Sequence, residues 1–256
     1  MPTWDPGQYL RFERQRGLAV HDLVARLHDR SPKRIVDLGC GAGPSTALLR
    51  QRWPTAYIEG IDSSAEMLAA ARPTDPSTVW QHGDLRDWQA SEPFDLVFSN
   101  AALHWVPEHE RLFARLISQV APGGALAVQM PVNSESPAHR AIRDTAAEPR
   151  WAPRWGPELP RANVEAPERY YRFLAPASTA IELWQTEYVH VLPDAPSIVE
   201  WVKGTTLRPY LDALPMAADR GKFLEEIAER IAAAYPAESD GRVLFPFRRQ
   251  FLVAHR

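Results

Sequence analysis

The sequence predicts an α/β protein built on a doubly wound, mostly parallel sheet with helices on both faces. Three observations lead there. Apolar runs of strand length alternate with helix-like segments from about residue 34 to residue 130. The first run, Arg34-Ile35-Val36-Asp37-Leu38, ends in a turn with glycine at alternate positions, Gly39, Gly41 and Gly43, and Pro44-Ser45-Thr46 then opens a helix. Polar residues recur where the following strands should end, at Asp62, Asp84 and Asn100. Alternation at this pace marks βαβ units, whose crossovers are right-handed and whose helices cover both sides of the sheet.

The elements follow in order. Asp5-Pro6 reads as an N-cap and first-turn proline of a helix over about 5–28 that carries Tyr9, Phe12, Leu23, Val24 and Leu27. Strand one is 34–38, and the next helix runs to about 51. Strand two is 56–61. Ser63-Ser64-Ala65-Glu66 has the form of a capping box for a helix ending near Arg72. Strands three and four are 78–82 and 94–99. A helix over 108–120 is ended by Pro122-Gly123-Gly124, and strand five is 125–130. From Pro131 the pattern breaks into a stretch rich in proline, arginine and aromatics, with short helices expected from Pro137 and Pro167. A strand over 181–191, a helix over 197–203, an amphipathic helix over 216–234 with Phe223, Leu224, Ile227, Ala228 and Ile231 on one face, and a closing strand over 243–254 complete the chain. The expected organisation is one domain over 1–256: a core of about 30–130 and 178–256, and a helical cap made of an insertion at about 131–177 plus the N-terminal helix.

Composition bounds the function. The chain has 256 residues, 45% hydrophobic and 24% charged, which is ordinary for a globular protein. A net charge of −3 argues against a nucleic-acid partner, which would call for a basic excess. The single cysteine, Cys40, excludes an intrachain disulfide and a multi-cysteine metal site, and no metal is expected. No run of 18 apolar residues suggests a membrane span, and the N-terminus lacks the basic flank and apolar stretch of a secretory signal, so a cytoplasmic protein with no membrane partner is expected.

A strand, a glycine-rich turn and a helix form a site for a nucleotide-type cofactor, because the backbone can turn sharply and a ligand can approach with no Cβ in the way. Asp37, just before the first glycine, is the discriminating residue. A turn that cradles a diphosphate has no use for a carboxylate there, whereas a ligand with a cationic end does. Asp62, with Ser63 beside it, stands about twenty residues beyond the glycines, where an acid reaches ribose hydroxyls. Asp84 can accept from an adenine amino group, and Asn100 ends strand four. Each acid alone reads as a turn or cap residue. Four polar positions at the carboxyl ends of successive parallel strands mark one ligand edge.

Together, Asp37-x-Gly39-x-Gly41-x-Gly43, Gly60-Ile61-Asp62, Gly83-Asp84-Leu85 and Phe94-Asp95-Leu96-Val97-Phe98-Ser99-Asn100 resemble the class I S-adenosylmethionine-dependent methyltransferases over about residues 34–130. That resemblance implies a Rossmann-like sheet of seven strands with the last antiparallel, and S-adenosylmethionine as cofactor. It also places Gly39 and its neighbours at the methionine end, Asp62 on the ribose, and Asp84 and Leu85 at the adenine. A dehydrogenase would prefer Gly-x-Gly-x-x-Gly, and the spacing here is Gly-x-Gly-x-Gly.

Over nearly the whole chain the sequence further resembles the trans-aconitate 2-methyltransferases. The matching segments are Trp4-Asp5-Pro6 with Tyr9-Leu10 and Phe12, Asn100 to Trp105, Val128-Gln129-Met130-Pro131 with Asn133, Tyr170-Tyr171, Trp201-Val202, Leu207-Arg208-Pro209, and Phe245-Pro246 to Phe251. The resemblance implies a carboxyl O-methyltransferase that forms a monomethyl ester of trans-aconitate, a small tricarboxylic acid. Such an acceptor is already ionised at neutral pH, the reference carboxylate pKa being about 4. No general base is then needed and no catalytic residue is expected; alignment of well-oriented reactants can remove roughly 7–11 kcal/mol of barrier. The acid does need cationic and hydrogen-bonding groups. Arg208 is the leading candidate, with His104, Tyr170 and Tyr171 as donors and Trp105 as a wall. The other cap arginines read as solvated surface charges, and one tyrosine of the pair is expected to pack the cap. Tyr9 is placed with the cofactor, on a helix able to exclude water. A methyltransferase for a different small acid, or a non-catalytic cofactor-binding member of the fold, remain the alternatives.

Overall fold

The computed structural model describes residues 12–156 and 163–256. Helix α1, Glu13–Ala25, leads to β1, Arg34–Leu38; α2, Pro44–Arg52; β2, Tyr57–Asp62; α3, Ala65–Ala71; β3, Val79–His82; and β4, Phe94–Asn100. Next come α4, His109–Ser118; β5, Val120–Pro131; α5, Pro137–Ala146; α6, Pro167–Leu174; β6, Ala180–Leu192; α7, Ala195–Lys203; α8, Arg208–Ala213; α9, Ala217–Ala234; and β7, Val243–His255. The start of the expected N-terminal helix, with Tyr9, lies outside the described residues.

The seven strands form one sheet in the order β3-β2-β1-β4-β5-β7-β6. The pairings β1–β2, β1–β4, β2–β3 and β4–β5 are parallel, whereas β7 runs antiparallel to β5, from Ala125 opposite His255 to Pro131 opposite Arg249. This is the topology expected from the sequence. Chain reversal on either side of β1 puts the turns after β1 and β4 at a switch point, where open α/β sheets bind ligands.

Two expectations need correction in detail. The helix after β2 is capped by Ser64, whose hydroxyl accepts from Met67 N at 3.2 Å, so Glu66 sits in the first turn, 2.9 Å from the Ser64 hydroxyl, and the expected box is displaced by one residue. Strand β5 starts at Val120, ahead of the Pro-Gly-Gly that reads as a stop, and its pairing with β4 shifts register between Phe94 and Leu96.

The chain divides into two compact units whose boundaries differ from the expected core and cap. Among the described residues, one unit contains 13–131, 163–186 and 249–256; the other contains Phe12, 132–156 and 187–248. The expected insertion at 131–177 is thus split, and 187–248, read as core from its helix and strands, forms a unit with 132–156. Helix α9 explains why: Phe223, Ile227 and Ile231, all fully buried, share an apolar cluster with Ala138 and Ile142 of α5 and Ile198, Trp201 and Val202 of α7. In the sheet unit, Val36, Leu38, Val97, Leu126, Val128 and Leu252 share a core with Leu112, Phe113, Leu116 and Ile117 of α4. Full burial of each such side chain contributes about 1.5–3 kcal/mol. Among the described residues, no helix is long and apolar enough to cross a membrane.

Candidate active site

The turn after β1 is held in a shape that glycine alone adopts easily. Gly39, Gly41 and Gly43 all have positive φ, at 75°, 55° and 95°. At Gly39 an added Cβ would lie 2.1 Å from the Ala102 Cβ, so the β1 turn and the segment after β4 touch there. At Gly41 an added Cβ would meet no atom within 4 Å, which leaves open space against the backbone. Gly43 caps α2 and supplies no side-chain cap bond, so the start of that helix suits an anion.

Asp37 is fully buried beneath the turn. Its Oδ2 accepts from the Thr46 hydroxyl at 2.6 Å, while Oδ1 is buried with no partner. Burial pushes its pKa up to about 7, against the lowering effect of the Thr46 bond; nearby Asp62 adds to the rise. Asp62 braces the same turn, with Oδ2 accepting from Gly41 N at 2.9 Å and Oδ1 from Ser64 N at 2.8 Å. Burial also raises the Asp62 pKa, opposed by those backbone bonds. Ser63, between them, is half-buried, and its carbonyl lies 3.0 Å from His82 Nε2.

Asp84 has a partner within the chain. Its carboxylate is engaged by Arg86, through the backbone N at 2.8 Å and Nε at 2.9 Å, and this guanidinium holds its pKa below the usual range. Leu85 is better placed: its Cδ1 would lie 3.6 Å from a Cβ on Gly39, and its carbonyl accepts from Arg115 at 2.7 Å. On β4, Asn100 donates to the Ser45 hydroxyl at 3.4 Å, and its Oδ1 is buried without a partner. Ala101 follows with φ 53°, a left-handed conformation that costs a non-glycine residue energy and is often kept at functional turns. His104, buried, and Trp105, half-buried, continue into a short 3₁₀ turn with ring centroids 4.8 Å apart.

The tyrosine pair divides. Tyr170 is fully buried in the apolar core; its hydroxyl lies 2.6 Å from His109 Nδ1 and accepts from Glu165 N at 3.0 Å. Its hydrogen-bonding capacity is committed within the protein, so the substrate role expected of it is withdrawn. Tyr171 is 54% exposed, beside Pro167, Arg172 and Leu183. Arg208 belongs to the other unit, at the start of α8, where its Nε lies 3.2 Å from Asp212. Among the remaining cap arginines, Arg140, Arg143, Arg150, Arg154 and Arg169 form ion pairs with neighbouring acids, as surface charges do. The sequence reading missed Thr46, which orients Asp37, and Gln129, a buried amide in an otherwise apolar strand. Its signal was the lone polar residue in Ala125–Met130.

A family model described as a methyltransferase domain matches residues 12–187. The trans-aconitate 2-methyltransferase of Azoarcus sp. is 48% identical over 256 residues, covering 100% of both chains. That of Methylobacterium nodulans is 45% identical over 100% of this chain and 99% of its own. The chain belongs to the trans-aconitate 2-methyltransferase family. Solved structures agree on the fold: a putative methyltransferase from Bacillus halodurans superposes with a TM-score of 0.60 at 12% identity, covering 93% of this chain and 99% of that one. A phosphoethanolamine N-methyltransferase of Haemonchus contortus, solved with S-adenosyl-L-methionine, gives 0.54 at 17% identity over 92% of this chain and 52% of its own.

The cofactor of this family is S-adenosylmethionine, and the residues present fit it. Its methionine end carries an ammonium and a carboxylate. The unpartnered buried acceptors Asp37 Oδ1 and Asn100 Oδ1 suit the ammonium, and the uncapped start of α2 suits the carboxylate. Open space at Gly41 admits the ligand against the backbone. Asp62 keeps acceptor capacity beyond the backbone bonds it accepts, which suits a ribose hydroxyl. Asp62→Ala is therefore expected to weaken S-adenosylmethionine binding by about tenfold to a hundredfold, from lost charged hydrogen bonds of roughly 1.5–3 kcal/mol and a released Gly41 turn. Calorimetric titration measures it, and unchanged affinity would refute the ribose assignment.

Proposed function

We propose that this chain transfers the methyl group of S-adenosylmethionine to a carboxylate of trans-aconitate, forming its monomethyl ester. The observation that carries the reading is full-length identity of 43–48% to proteins of that name, through both compact units rather than the methyltransferase core alone. The cofactor supplies an electrophilic methyl on a sulfonium. The protein's share is orientation and dehydration, because an ionised carboxylate attacks without giving up a proton. Asp37, Asp62 and Asn100 hold the cofactor, and the glycine turn lets it lie against the backbone. A cytoplasmic location belongs to the same reading, as does the absence of nucleic-acid partners, which rests on the net charge of −3.

The test is methyl transfer from labelled S-adenosylmethionine to trans-aconitate, cis-aconitate, citrate and isocitrate, with the ester position found by mass spectrometry. Preferred turnover of trans-aconitate supports the reading. Cofactor binding without turnover of any of the four would overturn it and direct the search to other small acids. Arg208 is the proposed anion-binding cation. Arg208→Ala is expected to raise the KM for trans-aconitate about tenfold, as loss of a charged hydrogen bond does, with cofactor affinity unchanged. Weakened cofactor binding at unchanged KM would show the assignment to be wrong.

A further inference from the structure

We infer that Gln129 is a substrate-binding residue whose side-chain amide donates to a carboxylate oxygen of the acceptor acid. The inference rests on the proposed function and assigns a residue that the cofactor does not use.

Side-chain alternation fixes where Gln129 faces. On β5, Leu126, Val128 and Met130 enter the core shared with α4, so Ala127 and Gln129 face the opposite side of the sheet. On β1, Val36 and Leu38 enter the same core, which turns Asp37 to that opposite side. On β7, Leu252 and Ala254 do so, which turns Phe251 there too. The register then puts Asn100 of β4 beside Gln129 on one side and Phe251 of β7 on the other. Asn100, Gln129 and Phe251 thus form a row on one sheet face, with Asp37 on the same face one pleat back, opposite Phe98, and Phe251 is stacked at 4.8 Å on Trp184.

Gln129 is fully buried, and neither Oε1 nor Nε2 has a hydrogen-bond partner. An amide in an apolar strand with both ends unsatisfied destabilises the fold, so a partner outside the protein is the natural explanation for keeping it. The order along the row says which partner. Asp62 and Asp37 lie on β2 and β1 at the ribose and ammonium ends of the cofactor, and Asn100 on β4 is the next strand. Gln129, one strand further, is on the side away from the ribose, where the acceptor acid meets the methyl-bearing end. Asp37 Oδ1 and Asn100 Oδ1 are acceptors, matched to a cation. Gln129 adds an N–H donor, matched to an anion. Neither end of the amide is fixed by a neighbour, so either rotamer can present the donor. A neutral donor suits this position: it holds one carboxylate oxygen without neutralising the charge that makes the other nucleophilic.

The test uses Gln129→Met, which keeps length and removes the amide, and Gln129→Glu, which opposes a second anion. For Gln129→Met the KM for trans-aconitate should rise about tenfold to a hundredfold, the affinity for S-adenosylhomocysteine should change less than about twofold, and the melting temperature should be equal or higher. Gln129→Glu should lose more activity than Gln129→Met. An unchanged KM in Gln129→Met, or a lower melting temperature with normal kinetics, would overturn the inference and make the amide structural, paired with internal water. A loss confined to S-adenosylhomocysteine affinity would also overturn it, by moving the contact to the cofactor. Failure of the wild-type protein on all four acids would overturn the functional reading itself; wild-type turnover with an indifferent Gln129→Met would overturn this inference alone.

Discussion

Replacing Gly39 with alanine is expected to abolish measurable cofactor binding and to lower the melting temperature. The new Cβ would lie 2.1 Å from the Ala102 Cβ, and neither atom can rotate away because both are fixed to backbone. The turn after β1 or the segment after β4 must move. Overpacking of this kind costs roughly 1–3 kcal/mol, and φ 75° adds about 1–2 kcal/mol for a residue with a side chain. Movement of the turn also displaces Gly41 from Asp62 and Leu85 from the turn, so affinity should fall by more than about a hundredfold, the equivalent of about 2.7 kcal/mol. The double variant Gly39→Ala, Ala102→Gly removes the contact and keeps the backbone strain. It should recover part of the melting temperature and part of the affinity for S-adenosylhomocysteine, measured by thermal unfolding and calorimetric titration. A double variant no better than the single one would mean that strain within the turn, and not contact with Ala102, sets the requirement for glycine.

The parts of this molecule legible from sequence are those fixed by local pattern. Parallel strands buried on both faces read as unbroken apolar runs, which is why β1 and β4 stand out. The glycine turn and the polar strand ends are local signals too. What was not legible depends on partners distant in sequence. Tyr170 and Tyr171 look equivalent as neighbours, but adjacent helical residues point about 100° apart. The four-residue spacing of Tyr170 and Leu174 puts both in the core, and His109 satisfies the hydroxyl from another helix. Asp84 reads as a ligand acceptor from its place at the end of β3, and its pairing with Arg86, two residues on, depends on the shape of a short turn. The grouping of 187–248 with the segment after β5 is not legible locally, because 187–248 has regular elements and only packing of α9 against α5 and α7 shows it. Gln129 gained meaning only once register set it beside Asn100.

Asp37 should make cofactor binding pH-dependent, with a sign that is unusual for an aspartate. Burial raises its pKa from an ordinary 3.8 to about 7. Between those values the folded protein holds a proton that the unfolded chain releases, so the contribution of Asp37 to stability is present below about pH 4 and is lost as pH rises toward 7. An ammonium bound at Oδ1 reverses the preference, because it favours the carboxylate. Binding of S-adenosylmethionine below pH 7 should therefore expel a proton from Asp37, and affinity should fall by up to about tenfold per unit as pH drops further. The α-amino group of the ligand has its own pKa, about 7.7–8.0 for an unperturbed group, and deprotonates above it. The wild-type protein should thus bind best between pH 7 and 8. Calorimetry in two buffers of different ionisation enthalpy should show proton release at pH 6.5 and proton uptake at pH 8.5. Asp37→Asn keeps an acceptor for the Thr46 hydroxyl and removes only the charge. It should lose the acid limb and keep the alkaline one, and at pH 7.5 it should bind more weakly by about 2–5 kcal/mol, as for other buried charge pairs cut on one side. Without ligand it should be the more stable protein at that pH, since a buried carboxylate lacking a counter-charge is gone. An acid limb that survives in Asp37→Asn would assign the titration to another group and separate Asp37 from the ammonium.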